Sequence, residues 1–474
     1  MKLPVSFAGE YDERTATQVS SQTAINMYAE IIGKKFIMRQ RYGLTTNQIV
    51  SVGPYRGGMT AYGLMFFVNN NKVYKMDSAE LVTQIGTINT FSGRVSMDSN
   101  GFELVIVDGT DGFAYEFSTG TFTQITDADF VNIKPIQVRF LDGFFIVFKP
   151  GTGEFYKSIS YPTHAQLTTN GWSALDFENA QSSPDNILAM EILHQQIVLL
   201  GEDTTEYFTN TNNSIFPYER QPGGVSEWGI IAPFSIGKAD NGVIWLSKSK
   251  EGHGHIMQAT GYSPTVISNK AVEDAIEAMS VVSDAFAFVY KEGNHLLYVI
   301  TFPTGNTTFA YDITTKLWHE RQSYNFGRWR AGMHVFFNNK HYIGDILGGE
   351  LYTLEKSAYS DDATQILRII RTDHNDDNQE KLTCHELQIL CDQGIGLIQG
   401  QGSDPIIALR WSDDRGRTYG NTHTRSLGKI GEYKHRPRWT NCGSYYNRTW
   451  EASVSDPIPW TVIGAYGRFS RGLA

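Results

Sequence analysis

One slot, filled in six of seven cases by tyrosine, returns along this chain at nearly constant spacing. Tyr74, Tyr115, Tyr156, Tyr207, Tyr311 and Tyr352 occupy it, and Met257 fills the place between Tyr207 and Tyr311. The intervals are 41, 41, 51, 50, 54 and 41 residues. An apolar run and a tight turn come first each time. Leu64-Met65-Phe66-Phe67 precedes Asn69-Asn70-Asn71, and Ile197-Val198-Leu199-Leu200 precedes Gly201-Glu202-Asp203. A period of about 40–50 residues made of short β-rich segments marks a β-propeller, each unit being one four-stranded blade. The expected fold is all-β: a propeller with seven blades counted and six as the alternative, followed by a β-sandwich-like domain. The recurrent tyrosines read as packing between adjacent blades, because a large ring placed once per blade fills that interface.

The first unit reads as strands at Met59 to Tyr62, Leu64 to Val68, Lys72 to Met76 and Leu81 to Ile85. The seventh unit shows three strands and no fourth, and an open edge leaves backbone donors unpaired. The expected donor of the missing strand is the segment Lys35 to Gln40. One helix is expected at Asn269 to Met279, capped by Ser268, with Val272, Ile276 and Met279 on one face. The chain divides into an N-terminal arm (1–34), a propeller (35–356), a linker (357–363) and a C-terminal sandwich (364–474). Six strand candidates lie in the last part: Ile366 to Arg371, His385 to Cys391, Ile406 to Trp411, Tyr433 to Trp439, Trp450 to Val454 and Trp460 to Ala465. The arm is polar and weakly patterned, so it reads as a disordered tail or as an arm ordered by a neighbouring subunit.

The formal charge of -10 argues against a protein that coats nucleic acid. From Arg410 onward, however, 11 Lys+Arg face 5 Asp+Glu, a local +6, so the rest carries -16. That end reads as a solvated face or as a docking surface for something acidic. Three cysteines make no disulfide framework, consistent with assembly in a reducing cytoplasm. The N-terminus lacks a signal-peptide core, and no apolar window is long enough to predict a transmembrane helix.

Candidate chemistry is sparse. Ser412, Asp414, Gly416, Thr418 and Tyr419 resemble the Asp-box of sialidases, which raises a glycan-binding or glycan-hydrolysing propeller as the alternative function. The box is a hairpin device, with an Asp capping the turn and a Gly at positive φ, and it holds no catalytic atom. It occurs once here, outside the repeats. Hydrolysis needs two carboxylates facing each other across a bond, and the pairs Asp203/Glu206 and Asp376/Asp377 read as solvated loops. His253-Gly254-His255 lacks a third ligand in register and reads as a hairpin tip. Gln221-Pro222-Gly223-Gly224 reads as a turn. No catalytic, cofactor-binding or metal residue is expected.

Several stretches together resemble the tail-hub, or packaged-DNA stabilisation, proteins of short-tailed bacteriophages. Ile25-Asn26-Met27-Tyr28-Ala29-Glu30 is similar to an N-terminal signature of that family, with Ala29 where Pro is usual. Gly93-Arg94-Val95-Ser96-Met97 is similar to the start of its second blade, and Glu206-Tyr207-Phe208 with Phe216-Pro217-Tyr218 and Gly223 to its central blade. The C-terminal match runs through Gln399 to Ser403, Leu409 to Asp414, Gly431 to Lys434, Arg438-Trp439, Gly443-Ser444 and Ile463 to Ala465. The resemblance implies a structural virion protein rather than an enzyme, without a cofactor. It implies a ring, usually of six copies, beneath the portal and its adaptor, located in the phage tail and assembled in the host cytoplasm. Such a ring extends the DNA channel, helps retain packaged DNA, and carries fibres or tailspikes and a plug or needle. DNA is expected to pass through the lumen without tight binding, because many phosphate contacts would retard it. The assembly surface is expected at Asn26, Tyr28, Glu30, Arg415, Arg417, Lys434, Arg436 and Arg438. Removing residues 1–30 is accordingly expected to leave a folded monomer that assembles poorly.

Overall fold

The computed structural model describes residues 2–7, 9–13, 20–33, 35–180, 182–239, 241–248, 252, 254–377 and 380–471. Among the described residues, seven antiparallel four-stranded blades follow one another along the chain, five as separate sheets and the last two as parts of larger sheets. They cover residues 55–87, 96–124, 138–179, 187–226, 237–266 and 286–320, and the seventh covers 331–355 with one strand from the N-terminal side. The first strands of neighbouring blades meet around a central axis, and the seventh returns to the first. Most blades begin with an edge against the tunnel, continue with a strand buried along nearly its whole length such as Glu103–Val107 or Gln196–Gly201, and end in a less buried outer strand such as Phe122–Gln124. Runs such as Leu104-Val105-Ile106-Val107 are buried on both faces because each sheet is covered by a blade on either side.

The recurrent slot lies on the third strand of each blade and faces the preceding blade. Tyr115, for example, packs with Phe66 and Val68 of blade 1, and Tyr352 with Leu297 and Val299 of blade 6. Blade 4 differs. There Phe208, not Tyr207, faces the preceding blade, among Ile146, Phe148 and Phe155. Tyr207 points the other way, towards Trp245 and Met257 of blade 5. Successive strand residues alternate faces, so a shift of one position moves the side chain to the opposite interface.

The ring is closed by the strand Gly43–Ile49, which pairs antiparallel with Glu350–Glu355. An N-terminal strand does complete the seventh blade, but it is not Lys35–Gln40. The closing strand was hidden by its polarity: after Leu44 it runs Thr45-Thr46-Asn47-Gln48. Leu44 alone inserts between blades 6 and 7. Lys35–Gln40 pairs instead with Met27–Ile32 and with the C-terminal strand Thr461–Arg471.

Most of the described residues before Arg41 therefore belong to the C-terminal β-sandwich, while Tyr11 packs into the core of blades 5 and 6, and the expected free arm is not what the described residues form. Lys2–Val5 pairs with the last strand, Val5 opposite Ala465. Ser21–Ile25 lies between Arg368–Arg371 and the last strand of blade 6, where Ile25 pairs with Glu320. One sheet thus runs continuously from blade 6 into the sandwich. The two sandwich sheets enclose a core that includes Phe7, Met27, Met38, Ile370, Leu387, Trp439, Trp450 and Trp460. The linker also has structure: Ser360–Asp361 turns back on Thr364–Gln365, and Asp361 pairs with Leu44 of the closing strand. Between Gly431 and Pro437 the chain turns, and only Arg438–Thr440 forms a strand there.

The expected helix spans Lys270–Glu277. Its cap is Asn269 rather than Ser268: the Asn269 side chain accepts the Val272 amide at 3.0 Å. Two further short helices, Ala128–Ile133 and His164–Thr169, carry no periodic apolar face long enough to read from sequence.

Candidate functional site

Asn26 and Tyr28 are buried inside the chain, at 1% and 4% exposure, which removes them from the expected assembly surface. They form the joint between propeller and sandwich. Asn26 adopts φ 56°, a left-handed conformation that asparagine tolerates better than most residues. Its amide nitrogen donates to the carbonyls of Gln322 and Leu367 at 3.0 and 2.8 Å. Its amide oxygen accepts from Arg41 Nε at 2.8 Å and the Gln322 amide at 3.1 Å. Arg41 then binds Asp361 through both Nη atoms, at 2.8 and 2.6 Å, and donates to the carbonyls of Tyr42 and Gln322. All five of its donors are satisfied. Arg41 and Arg321 also flank the Trp329 ring, at 5.6 and 5.2 Å from its centroid.

Tyr28 meets the edge of His295 at 4.8 Å, and His295 pairs with Asp312 at 2.6 Å. Burial opposes the charge on His295, and Asp312 more than offsets it, so its pKa rises. Glu30 is partly exposed and pairs with Arg39. A cleft of about 240 Å³ lined by Tyr28, Glu30, Arg39, Glu292, His295 and Trp460 marks the outer mouth of this joint.

The five basic residues of the expected assembly surface lie in the sandwich: Arg415 and Arg417 in the turn after Ile406–Ser412, Lys434 and Arg436 just before the strand Arg438–Thr440, and Arg438 at its start. Arg417, Lys434, Arg436 and Arg438 are exposed and Arg415 is half-buried. Among the described residues none of the five is in an ion pair. Other cations of that region are already matched: Arg410 and Arg371 with Glu451, Arg448 with Asp413, and Arg471 with Asp377. Part of the local +6 is thereby neutralised within the chain. A second exposed feature escaped the sequence reading. Ile31, Ile32 and Phe36, 48–52% exposed, sit at the tip of the hairpin 27–40. The signal was present, two adjacent isoleucines beside the turn at Gly33, but the isoleucines read as the end of an arm, disordered or ordered by a neighbouring subunit, and Phe36 as part of the closing strand.

The Asp-box-like segment is a hairpin turn. Asp414 accepts the Thr418 amide at 2.8 Å and the hydroxyls of Thr418 and Ser412 at 2.5 and 2.6 Å. These bonds hold its carboxyl down at about 2. Gly416 takes φ 83°, and Tyr419 packs under Arg410 and Arg371. The paired acids separate. Glu206 is buried and accepts the Ser182 hydroxyl, whereas Asp203 is exposed beside Lys248. Asp377 pairs with Arg471. His255 pairs with Glu273, and His253 lies outside the described residues. Gln221 to Gly224 belong to the bulged strand Tyr218–Ser226 rather than to a turn.

The tunnel at the ring axis is a cavity of about 560 Å³ to which all seven innermost strands or their approaches contribute. Arg94, Asp98, Arg139, Glu191, Lys238 and His334 give it its polar character. Arg139 is committed to Glu191 at 2.9 Å. Arg94 starts at blade 2 and reaches the Gly332 carbonyl of blade 7 and the Phe286 ring of blade 6, so it bars part of the opening.

His334 hydrogen-bonds His341 at 2.9 Å and stacks on Phe288. Burial, then the His341 ring, hold its pKa down at about 3. Its folded value lies below its unfolded value of 6.5. Stability is therefore complete above that value and is lost as pH falls towards 3, at up to about 1.4 kcal/mol per pH unit. His334→Gln is expected to lose less stability between pH 7.5 and 5 than the wild type in urea unfolding. Equal losses would rule out this histidine as the source.

Two family models match the chain, in order. The bacteriophage P22 Gp10 β-propeller matches residues 1–359, and the bacteriophage P22 Gp10 β-sandwich matches residues 368–468. Comparison with curated proteins returns no match. Among solved structures, PorZ of the type-IX secretion system of Porphyromonas gingivalis is 11% identical with a TM-score of 0.38. That likeness covers 65% of this chain and 37% of PorZ, so the chain spans little more than a third of PorZ's length. Hydrazine synthase of Kuenenia stuttgartiensis is 8% identical with a TM-score of 0.43, over 66% of this chain and 98% of that one. The N-terminal domain of Nup159 is 9% identical with a TM-score of 0.41, over 70% and 98%.

Proposed function

The chain belongs to the bacteriophage P22 Gp10 family of tail-hub, DNA-stabilisation proteins, a structural tail protein by that membership, and from this premise we propose how it works in the virion. It forms a ring below the portal and adaptor, extends the DNA channel, retains packaged DNA, and anchors fibres or spikes and the plug or needle. It does this as a scaffold and not as a catalyst. The observation that carries this reading is the ordered match of both family domains over nearly the whole chain.

Physical features support it. Arg94 reaches across part of the propeller tunnel, so the tunnel is not an open bore. Duplex DNA on this account travels beside the propellers, through a lumen enclosed by several copies. Identical chains in a ring use heterologous contacts, one surface of each copy meeting a different surface of the next. Arg415, Arg417, Lys434, Arg436 and Arg438 face the adaptor or the neighbouring copy, and the acidic remainder keeps the lumen from gripping phosphate.

Particles assembled without this chain are expected to package DNA and then lose it, measured as DNA per purified head. Heads that keep their full DNA content in its absence would contradict the retention role.

A further inference from the structure

The charges in the propeller tunnel do not balance. Its wall carries Arg94, Arg139 and Lys238 against Asp98 and Glu191. His334 is uncharged near neutral pH. Glu191 is occupied by Nε and Nη2 of Arg139, at 3.3 and 2.9 Å. Asp98 accepts the amides of Phe140 and Ser99, each at 2.8 Å. Lys238 donates to the Ile192 carbonyl at 2.8 Å.

Arg94 has no such match. One Nη donates to the Gly332 carbonyl, and the guanidinium lies 4.3 Å from the Phe286 ring centroid. Among the described residues its Nε has no acceptor, and it is shut off from water, so a ligand in the tunnel meets the Nη side of the guanidinium. The charged group that acts on it is another cation, Arg56, which with burial lowers its pKa to about 10. Arg56 is itself held by the carbonyls of Asn70, Thr90, Ser92 and Gly93 and brings no negative charge. A buried donor without an acceptor costs about 1–3 kcal/mol, more when charged. A guanidinium presents its donors as a planar fork that fits carboxylate and phosphate oxygens.

We propose that the tunnel is a binding site for a small oxyanion, a carboxylate or phosphate group, received by Arg94 with Lys238 as the second cation of the wall. The unmatched guanidinium supplies the fork, and the Phe286 ring fixes its plane. A volume of about 560 Å³ admits a ligand up to the size of a sugar acid or sugar phosphate. The site is independent of the tail role and of ring assembly.

The test is calorimetric titration of the purified full chain with inorganic phosphate and, separately, with acetate, at constant ionic strength set by chloride. Saturable binding of either anion is expected, weakened at least about tenfold in Lys238→Gln and absent in Arg94→Gln. Preference for phosphate or acetate then identifies the kind of oxyanion. Arg94→Gln binding as tightly as the wild type, or wild type binding neither anion, would overturn the proposal. If Arg94→Gln does not fold, the wild-type titration and Lys238→Gln decide.

Discussion

Asp361→Ala is expected to destabilise the protein by about 3–5 kcal/mol, the cost of leaving a buried partner charge alone. Arg41 and Asp361 have side chains 0% and 1% exposed, so water cannot replace the lost carboxylate. The damage spreads because Arg41 also fixes Asn26 and the carbonyls of Tyr42 and Gln322. Those residues bring together the first sandwich strands, the closing strand of blade 7, the end of blade 6 and the former linker. Asp361→Asn keeps the shape and one acceptor and is expected to cost less than Asp361→Ala. Chemical unfolding of the variants beside the wild type reads the effect. A loss under about 1 kcal/mol for Asp361→Ala would mean that the pair does not hold the joint.

Deleting residues 1–30 is expected to unfold the sandwich rather than to release a folded, assembly-deficient monomer. The deletion removes Lys2–Val5, Ser21–Ile25 and most of Met27–Ile32, which are central or covering strands of both sandwich sheets. Val5, Phe7, Ile25, Met27 and Tyr28 leave with them, all buried. At about 1.5–3 kcal/mol each, these five side chains contribute on the order of 10 kcal/mol. Whole domains are stable by only about 5–15 kcal/mol. Limited proteolysis should therefore degrade the region after residue 368 while the propeller resists. A protease-resistant, full-length truncated chain would refute this reading of the arm.

The propeller was legible because its information is local. Each blade repeats an apolar run, a turn and a tyrosine, and a period survives even when single strands are misplaced by a residue. Tyr207 shows the limit of the method: spacing located the strand, but Phe208 fills the slot one residue on, and a one-residue offset is invisible to intervals of 41–54 residues. The closing strand was misassigned because Gly43–Ile49 is mostly polar after Leu44, whereas Lys35–Gln40 carries the apolar run Phe36-Ile37-Met38. The sandwich was underestimated for a different reason. Two of its N-terminal strands, Lys2–Val5 and Ser21–Ile25, pair with partners hundreds of residues away, such as Ile25 with Ile369 and Val5 with Ala465. A segment of that kind shows no hairpin partner nearby and reads as an arm.

The same logic separates what was found of the functional surfaces. Arg415, Arg417, Lys434, Arg436 and Arg438 were visible as local excess charge. Asn26 and Tyr28 were singled out by their motif and expected on the surface, but the chain buries them, because a motif marks constraint and does not say whether a partner or the chain itself imposes it. The tunnel residues Arg94, Asp98, Arg139 and Glu191 come from three different blades, and only the closed ring brings them together.

The most direct test of the tail-hub account is the mass of the purified protein, alone and mixed with the portal–adaptor complex of its phage, by native mass spectrometry or light scattering. The account predicts a species of 53.2 kDa alone and a discrete ring of several copies bound to the complex after mixing. A protein that stays at its free mass and leaves the complex unchanged would contradict it.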